Sequence, residues 1–408
     1  MTQPNASSPV PPRHFRILMV APTSFFSDYG GHIRILEEAY ALQELNQELA
    51  IVTYYKGSDM PGLDIRRTAR LPYRTDYEVG SSRHKLAFDV YLAASTIRQG
   101  LRFRPDVVHG HMHEGALIGG VLAKMLRVPL VFDFQGSLTA EMVDHNFLNE
   151  NGRLFPIAHR LEKIISNWFP DAILTSSHRA CDILHQEFDV PRNRLHALPD
   201  CANTTRFDPA KFSPESKLAL KRQLGIPEDR LVIAYLGLLT DYQGVPHLLE
   251  TAVRLKAAGE NVHFLLMGYP NVAHYQDIAA SKGIQDLITF TGKVEYRDAP
   301  HYLALGDIAV APKMSNSEGS GKVLNYMALA QPIVAYDSPV HREYLADLGV
   351  YAPSGDIEAF TQALRQLIHD PQQRLQRGQK LRQRAANHYS WRVAGKQIIG
   401  IYRNLTVD

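Results

Sequence analysis

Short apolar runs recur along the chain, and a stretch of helical length follows almost every one. Residues 16–20 (RILMV) are followed by the loop APTSFFSDYGG and by HIRILEEAYALQELNQ, whose apolar residues fall at helical spacing. That reads as strand, loop, helix. The same alternation continues through LAIVTYY (49–55), DVVHGH (106–111), PLVFDF (129–134), AILTSS (172–177) and RLHALP (194–199). It begins again with LVIAYLG (231–237) and runs on through HFLLMG, ITFTG, IAVAP, PIVAYD and GVYAP. Runs that are apolar on both faces suit the strands of a parallel sheet covered by helices on two sides. The pattern predicts an α/β protein of two doubly wound, Rossmann-like domains, in which ligands sit beyond the carboxyl ends of the strands. The closing segment SWRVAGKQIIGIYRNL (390–405) predicts an amphipathic helix that buries Trp391, Ile398, Ile401 and Tyr402 and packs back across the junction. The resulting division is a disordered tail over 1–14, rich in Pro, Ser and Asn, then domains over 15–205 and 206–388, and the closing helix over 389–408.

Composition narrows this picture. The 408 residues are 45% hydrophobic and 21% charged, the balance of a globular chain, and the net charge of +2 gives no global field to recruit nucleic acid. No apolar run reaches the ~20 residues of a bilayer span, and the tail lacks the apolar centre of a signal peptide. A cytoplasmic location is expected, with room for peripheral contact at the inner membrane face. Two cysteines, Cys181 and Cys201, make no disulfide framework and read as small core residues.

Several segments, in this order and spacing, resemble the retaining glycosyltransferases of family 4, also called glycosyl transferases group 1, which have the GT-B architecture. They are the Gly30-Gly31 loop, DVVHGH, PDCANTTRF (199–207), ITFTGKV (288–294), EGSGKVLNYMALAQPIVA (318–335) and the SW…IY helix. The resemblance spans residues 16 to 405. It implies two domains facing across a cleft, with a nucleotide-sugar donor, most often a UDP-sugar, held mainly by the second domain. The acceptor, a glycan, lipid or small molecule that the sequence does not name, is held by the first. It also implies a same-face mechanism in which the leaving phosphate takes the acceptor proton, with no metal and no other cofactor.

Glycosyl transfer breaks a C1–O bond while negative charge builds on the departing diphosphate, so electrostatics must carry it. The segment from Glu318 to Ala330 reads as a Gly-rich loop opening a helix, whose free N–H groups and partial positive charge suit a phosphate. Lys322 in its first turn is the expected leaving-group cation, and Glu318 its expected partner at the sugar. The resemblance places Gly30, Gly31, Gly237, Gly292, Val294, Gly319, Ser320, Gly321, Val323 and Asn325 around the donor, and His111 and Gln135 on the acceptor side.

The sequence departs from the family in three places. The usual Glu-x7-Glu pair is replaced by Glu318, one residue late, and by Asn325. Where the family has an Arg and a Lys aimed at the diphosphate, this chain has Leu238 and Gln243, with Arg34 or Lys293 as substitutes from elsewhere. Where the family has a His beside the sugar it has Gln135, with Asp133 and Glu141 nearby. These losses keep a second reading open, a catalytically weak nucleotide-sugar-binding partner subunit. His109, His111 and His113 alternate along a strand end and would project to one face, which raises a zinc site. No carboxylate-and-His set recurs later, and no metal is expected. Residues 64–104 hold nine Lys or Arg against four acids, interleaved with Tyr73, Tyr77, Phe88, Tyr91 and Phe103. They read as a solvated face on an insertion, with contact to a membrane or anionic acceptor as the functional option.

Overall fold

The computed structural model describes residues 14–26, 30–70, 85–144, 148–314 and 320–406. The tail over 1–13, Tyr73, Tyr77, Glu318 and Gly319 lie outside the described residues, as does the side chain of Glu141. The chain divides into two compact units, residues 1–199 with 394–408, and residues 200–393.

The first unit opens with β1 (Arg16–Ala21), α1 (Gly30–Glu44), β2 (Glu48–Thr53), β3 (Asp64–Arg67) and α2 (Lys85–Phe103). It continues through β4 (Val107–His111), α3 (Met112–Leu126), β5 (Leu130–Phe134), α4 (Leu138–Asp144) and α5 (Phe155–Trp168). It ends with β6 (Ala172–Thr175), α6 (His178–Gln186) and β7 (Leu195–Ala197). The second unit runs α7 (Pro214–Gln223), β8 (Leu231–Leu236), α8 (Val245–Ala257), β9 (Val262–Met267), α9 (Val272–Ser281) and β10 (Ile288–Gly292). Then come α10 (Ala299–Leu303), β11 (Ile308–Ala311), α11 (Gly321–Ala328), β12 (Ile333–Tyr336) and α12 (Pro339–Leu345). Last are β13 (Val350–Ala352), α13 (Ile357–His369) and α14 (Pro371–His388), after which α15 (Trp391–Leu405) returns the chain to the first unit from residue 394.

Both sheets are wholly parallel. Their orders are β3-β2-β1-β4-β5-β6-β7 and β10-β9-β8-β11-β12-β13. Each of the twelve apolar runs forms a strand. The thirteenth strand, β3 with the sequence DIRR, pairs with β2 at the sheet edge. An edge strand buries little, so it carries no apolar signature.

The segment 64–104, where it is described, belongs to the first sheet and its helix layer. It supplies that edge strand and α2, whose Phe88, Leu92 and Phe103 are buried against Leu18, Val52 and Val108. Two of the aromatics read as surface groups, Phe88 and Phe103, are core. The two faces of the first sheet differ in chemistry. Under α2, α3 and α5 lie Val20, Val52, Val108 and Phe132, all apolar. Strand alternation turns His109, His111 and Asp133 to the opposite face, where Tyr402 of α15 joins them. In the second unit one cluster built on Ile233, Val310, Val334, Leu248 and Leu364 forms the core. Cys181 is buried and Cys201 only partly so, which leaves the latter outside the core reading.

Candidate active site

In the second sheet the strand order reverses between β8 and β11, and the carboxyl end of such a switch point is where a doubly wound sheet leaves a crevice for ligand. β8 ends at Leu236 and the chain turns at Gly237. Here the backbone passes so close to its neighbours that a β-carbon on Gly237 would sit 2.6 Å from Lys322 Nζ, and one on Gly268 would collide with the Gly237 carbonyl. β11 delivers Pro312 and Lys313 to the same end of the sheet. The helix that follows, α11, is tied to β8 by Tyr326, whose hydroxyl accepts from the Leu236 amide at 2.7 Å.

One turn before Tyr326 on the same helix face, Lys322 reaches the end of β8. Its Nζ donates to Gln243 Oε1 at 2.9 Å and stands 4.5 Å from the centroid of the Tyr235 ring. Tyr235 in turn donates to the Leu238 carbonyl at 2.8 Å. Gln243 is nearly buried, 6% exposed. Its neutral carbonyl fixes the ammonium without cancelling its charge, whereas a carboxylate there would neutralise it.

The Ser320 hydroxyl, at the start of α11, is engaged outside that helix. Ser320 stands at the N-cap but makes no capping bond. Its hydroxyl lies 3.2 Å from His341 Nε2, and His341 Nδ1 lies 2.7 Å from the Tyr336 carbonyl. Nδ1 must donate to that carbonyl, so Nε2 is the acceptor and Ser320 the donor. Burial first, then the charges of Lys322 and Lys313, pull the His341 pKa down to about 4, which keeps the ring neutral near pH 7. Lys313, 2% exposed, belongs to no motif and was missed by sequence reasoning.

Among the residues expected around the donor, Gly237, Ser320, Gly321 and Lys322 come together at the start of α11. Asn325 lies one turn on, half-buried. Val323 is fully buried and its amide already donates to the Ser320 carbonyl at 2.9 Å, so its side chain serves the core. Asp200 Oδ2 lies 3.6 Å from where a Gly321 β-carbon would be, which puts one carboxylate near the helix start. Gly292 takes a φ of 72° at the end of β10 and accepts from the Gly268 amide; Val294 follows, half-buried. Lys293 stands 5.6 Å from the centroid of the Tyr269 ring.

The acceptor-side expectations meet in the first unit. Gln135 Nε2 donates to Asp133 Oδ2 at 2.8 Å, and a β-carbon on Gly31 would sit 2.6 Å from Gln135 Oε1, so Gly31 and Gln135 fit only as a pair. Gly30 begins α1 beside it. His111 Nδ1 lies 3.1 Å from Asp133 Oδ2, but the ring is fully buried; it is Gln135 that reaches the surface. Arg34 binds Asp133, Glu38 and the Leu198 carbonyl from inside this cluster. It is a structural cation of the first unit. Burial alone would raise the Asp133 carboxyl, but Arg34 and His111 outweigh it and hold it far below the usual carboxylate range.

His113 does not share a face with the other two histidines. The strand ends at His111, Met112 takes a left-handed φ of 57°, and the chain enters α3. His113 pairs instead with Glu162, 3.2 Å away, and Glu162 accepts from Ser137, Thr139 and the Leu138 amide at the start of α4. Glu38 takes its place, and with His109 and His111 brings three ligand-type atoms within 4.8 Å of one another. Arg34 Nε stands 3.2 Å from that Glu38 carboxylate and already supplies it a positive charge.

The chain matches the family model for glycosyl transferases group 1 over residues 216–385 and that for a glycosyl transferase 4-like domain over residues 30–201. It is 24% identical over 326 residues to an alpha-D-kanosaminyltransferase of Streptomyces kanamyceticus, covering 76% of this chain and 81% of that one. It is 24% identical to a D-inositol 3-phosphate glycosyltransferase of Streptosporangium roseum, covering 84% and 81%. Among solved structures, Anabaena HepE in complex with UDP and glucose aligns with a TM-score of 0.75 at 14% identity, over 96% of this chain and all of that one. Sucrose-phosphate synthase from Thermosynechococcus elongatus aligns with a TM-score of 0.74 at 16% identity, over 96% and 99%. The two family models divide most of the chain between them, one on each parallel sheet, and the protein is a GT-B glycosyltransferase of the group 1 family.

Proposed function

We propose that this glycosyltransferase transfers a sugar from a nucleoside diphosphate, UDP in the first instance, with retention at C1 and without a metal. The observation that carries the reading is the placement of Lys322. It sits in the first turn of α11 at the switch point of the second sheet, held by Gln243 and Tyr235, beside a helix start that Ser320 leaves uncapped. As the C1–O bond breaks, the β-phosphate gains charge. The α11 amides and the Lys322 ammonium are ready-made to receive it, with no reorganisation at the moment of reaction. Lys313, whose charge lowers the pKa of the same histidine, is the second source of positive charge in this reading, where Leu238 and Gln243 supply none. The leaving phosphate oxygen then takes the proton of the acceptor hydroxyl, so no protein nucleophile is needed. Gln135, at the surface of the first unit and braced by Asp133 and Gly31, is the candidate contact for a hydroxyl on the acceptor side.

The test is incubation of the purified protein, treated with chelator, with a panel of UDP-, GDP-, ADP- and CDP-sugars and a mixture of hydroxylated acceptors. Released nucleotide is measured by mass spectrometry and the anomeric configuration of the product by NMR. Turnover with one nucleotide and retained configuration is expected. Nucleotide binding without turnover on any sugar would favour the partner-subunit reading, to which Leu238 and the displaced Glu318 point.

A further inference from the structure

The outer surface of the α2, α3 and α5 layer carries most of the exposed large apolar side chains among the described residues. Of the fourteen large hydrophobics exposed among the described residues, eleven lie on these three helices or at their caps. On α5 they recur at helical spacing, Leu154 at the N-cap, then Ile157, Leu161, Ile164 and Trp168, from 43% to 75% exposed. On α3, Leu117, Val121 and Met125 form a second stripe, 38% to 54% exposed. The two helices pack side by side, and α2 packs on the other flank of α3. A soluble monomer rarely exposes so continuous an apolar surface, and such a patch marks an interaction site.

The charges around it say what it meets. Arg98 and Arg102 on α2, Lys124 on α3 and Arg160 on α5 are exposed, as are Arg127 and Arg153 just beyond the helix ends. Among the described residues of these three helices no acidic side chain is exposed: Asp89 accepts from Tyr54, Glu114 is half-buried and Glu162 is buried; beyond the ends of α5, Glu150 and Asp171 are exposed, and Asp171 accepts from the Leu130 amide. Lys163 is paired with Asp189. A second copy of this chain docked by two-fold symmetry would set like charges against like charges around the stripe, which is costly. An apolar stripe with a cationic surround and an exposed Trp fits an anionic bilayer surface, where the apolar groups enter the acyl boundary, Trp sits at the headgroups and the basic groups meet phosphate. No helix of the described residues is long and apolar enough to cross a membrane.

We infer that the α3–α5 face of the first unit docks this enzyme peripherally on an anionic phospholipid surface. This rests on surface exposure and charge and is independent of the donor assignment. Of the aromatics of 64–104, Phe88 and Phe103 are core, and Tyr91 is exposed on the flank of this face.

Sedimentation with vesicles tests it. The full chain is expected to bind vesicles of phosphatidylglycerol and phosphatidylcholine at least tenfold more strongly than phosphatidylcholine alone, and to be released as salt rises. Only Trp168 and Trp391 absorb as tryptophans, and Trp391 is buried, so binding should shift the Trp168 emission to the blue while Trp391 stays constant. Ile157→Ser with Trp168→Ser should abolish sedimentation, and Arg153→Glu with Arg160→Glu should reduce it at least tenfold. All four positions are exposed, and donor hydrolysis in vesicle-free solution should be unchanged in both variants. Sedimentation that ignores lipid charge, or no blue shift on anionic vesicles, would overturn the inference. So would a wild-type dimer that Trp168→Ser renders monomeric in analytical ultracentrifugation.

Discussion

Lys322 Nζ lies 2.9 Å from Gln243 Oε1, and the residue that reads in sequence as a lost cation is in the structure the group that aims one. The arrangement gives the two side chains separate roles. Lys322→Ala removes the charge proposed to act on the leaving group and should lower turnover by ~100- to 1000-fold, the scale of one lost oxyanion donor. Gln243→Ala leaves the ammonium present but without this hydrogen bond, and should lower turnover by about tenfold. Steady-state rates on the same donor, with circular dichroism to check folding, measure both. Equal losses in the two variants would remove the positioning role from Gln243.

His341 makes the second unit sensitive to mild acid. Its imidazole protonates near 6.5 in the unfolded chain and only at about 4 when folded. A group whose folded pKa is depressed in this way binds its proton first in the unfolded state. The stability it confers is complete above pH 6.5 and falls as pH drops from 6.5 toward 4. His341→Gln should flatten this part of the profile in urea unfolding at pH 7 and pH 5. Since Lys322 is one cause of the depression, Lys322→Ala should raise the His341 pKa in an NMR titration. An unmoved His341 would place the two side chains further apart than described.

Tyr326 offers a purely structural comparison. Its hydroxyl is the acceptor for the buried Leu236 amide. Tyr326→Phe leaves that amide unpaired and should cost ~1 to 3 kcal/mol of unfolding free energy. Any loss of activity should come through the altered seating of α11, as a change in KM for donor. Chemical denaturation and kinetics on the same preparation separate the two effects.

Glu162 ties His113 to the start of α4. Burial would raise its carboxyl, but His113 and Thr139 bring it down to about 2. Its contribution is therefore complete above pH 4.5 and is lost as pH falls from 4.5 toward 2. Glu162→Gln should destabilise the protein by about 3 kcal/mol at pH 7, the scale of a broken buried pair. The gap to wild type should close near pH 2, read by denaturant unfolding across that range.

The fold was legible because its strands are doubly buried. RILMV, VHFLLM and IAVA can lie nowhere but inside. What the pattern missed followed from local physics: β3 is polar because it is an edge, and α2 was hidden by the Arg residues on its outer side. At the site, Gly321 and Lys322 stood out as residue types suited to phosphate, and Ser320 and Gly237 came from the resemblance. Lys313 and His341 did not stand out, since their importance comes from β11 ending and α12 beginning beside α11, which no local motif records. His113 was misread because the turn at Met112 falls one residue after the strand seems to end. Glu38 was missed because it comes to His109 from a helix about seventy residues earlier in the chain.

The central claim is that the start of α11 grips a pyrophosphate, and calorimetric titration with UDP and with uridine tests it most directly. The account predicts saturable UDP binding by the wild type, and at least tenfold weaker UDP binding by Lys322→Ala with the same affinity for uridine. Equal UDP affinity in the two proteins, or no binding of any nucleoside diphosphate, would contradict it.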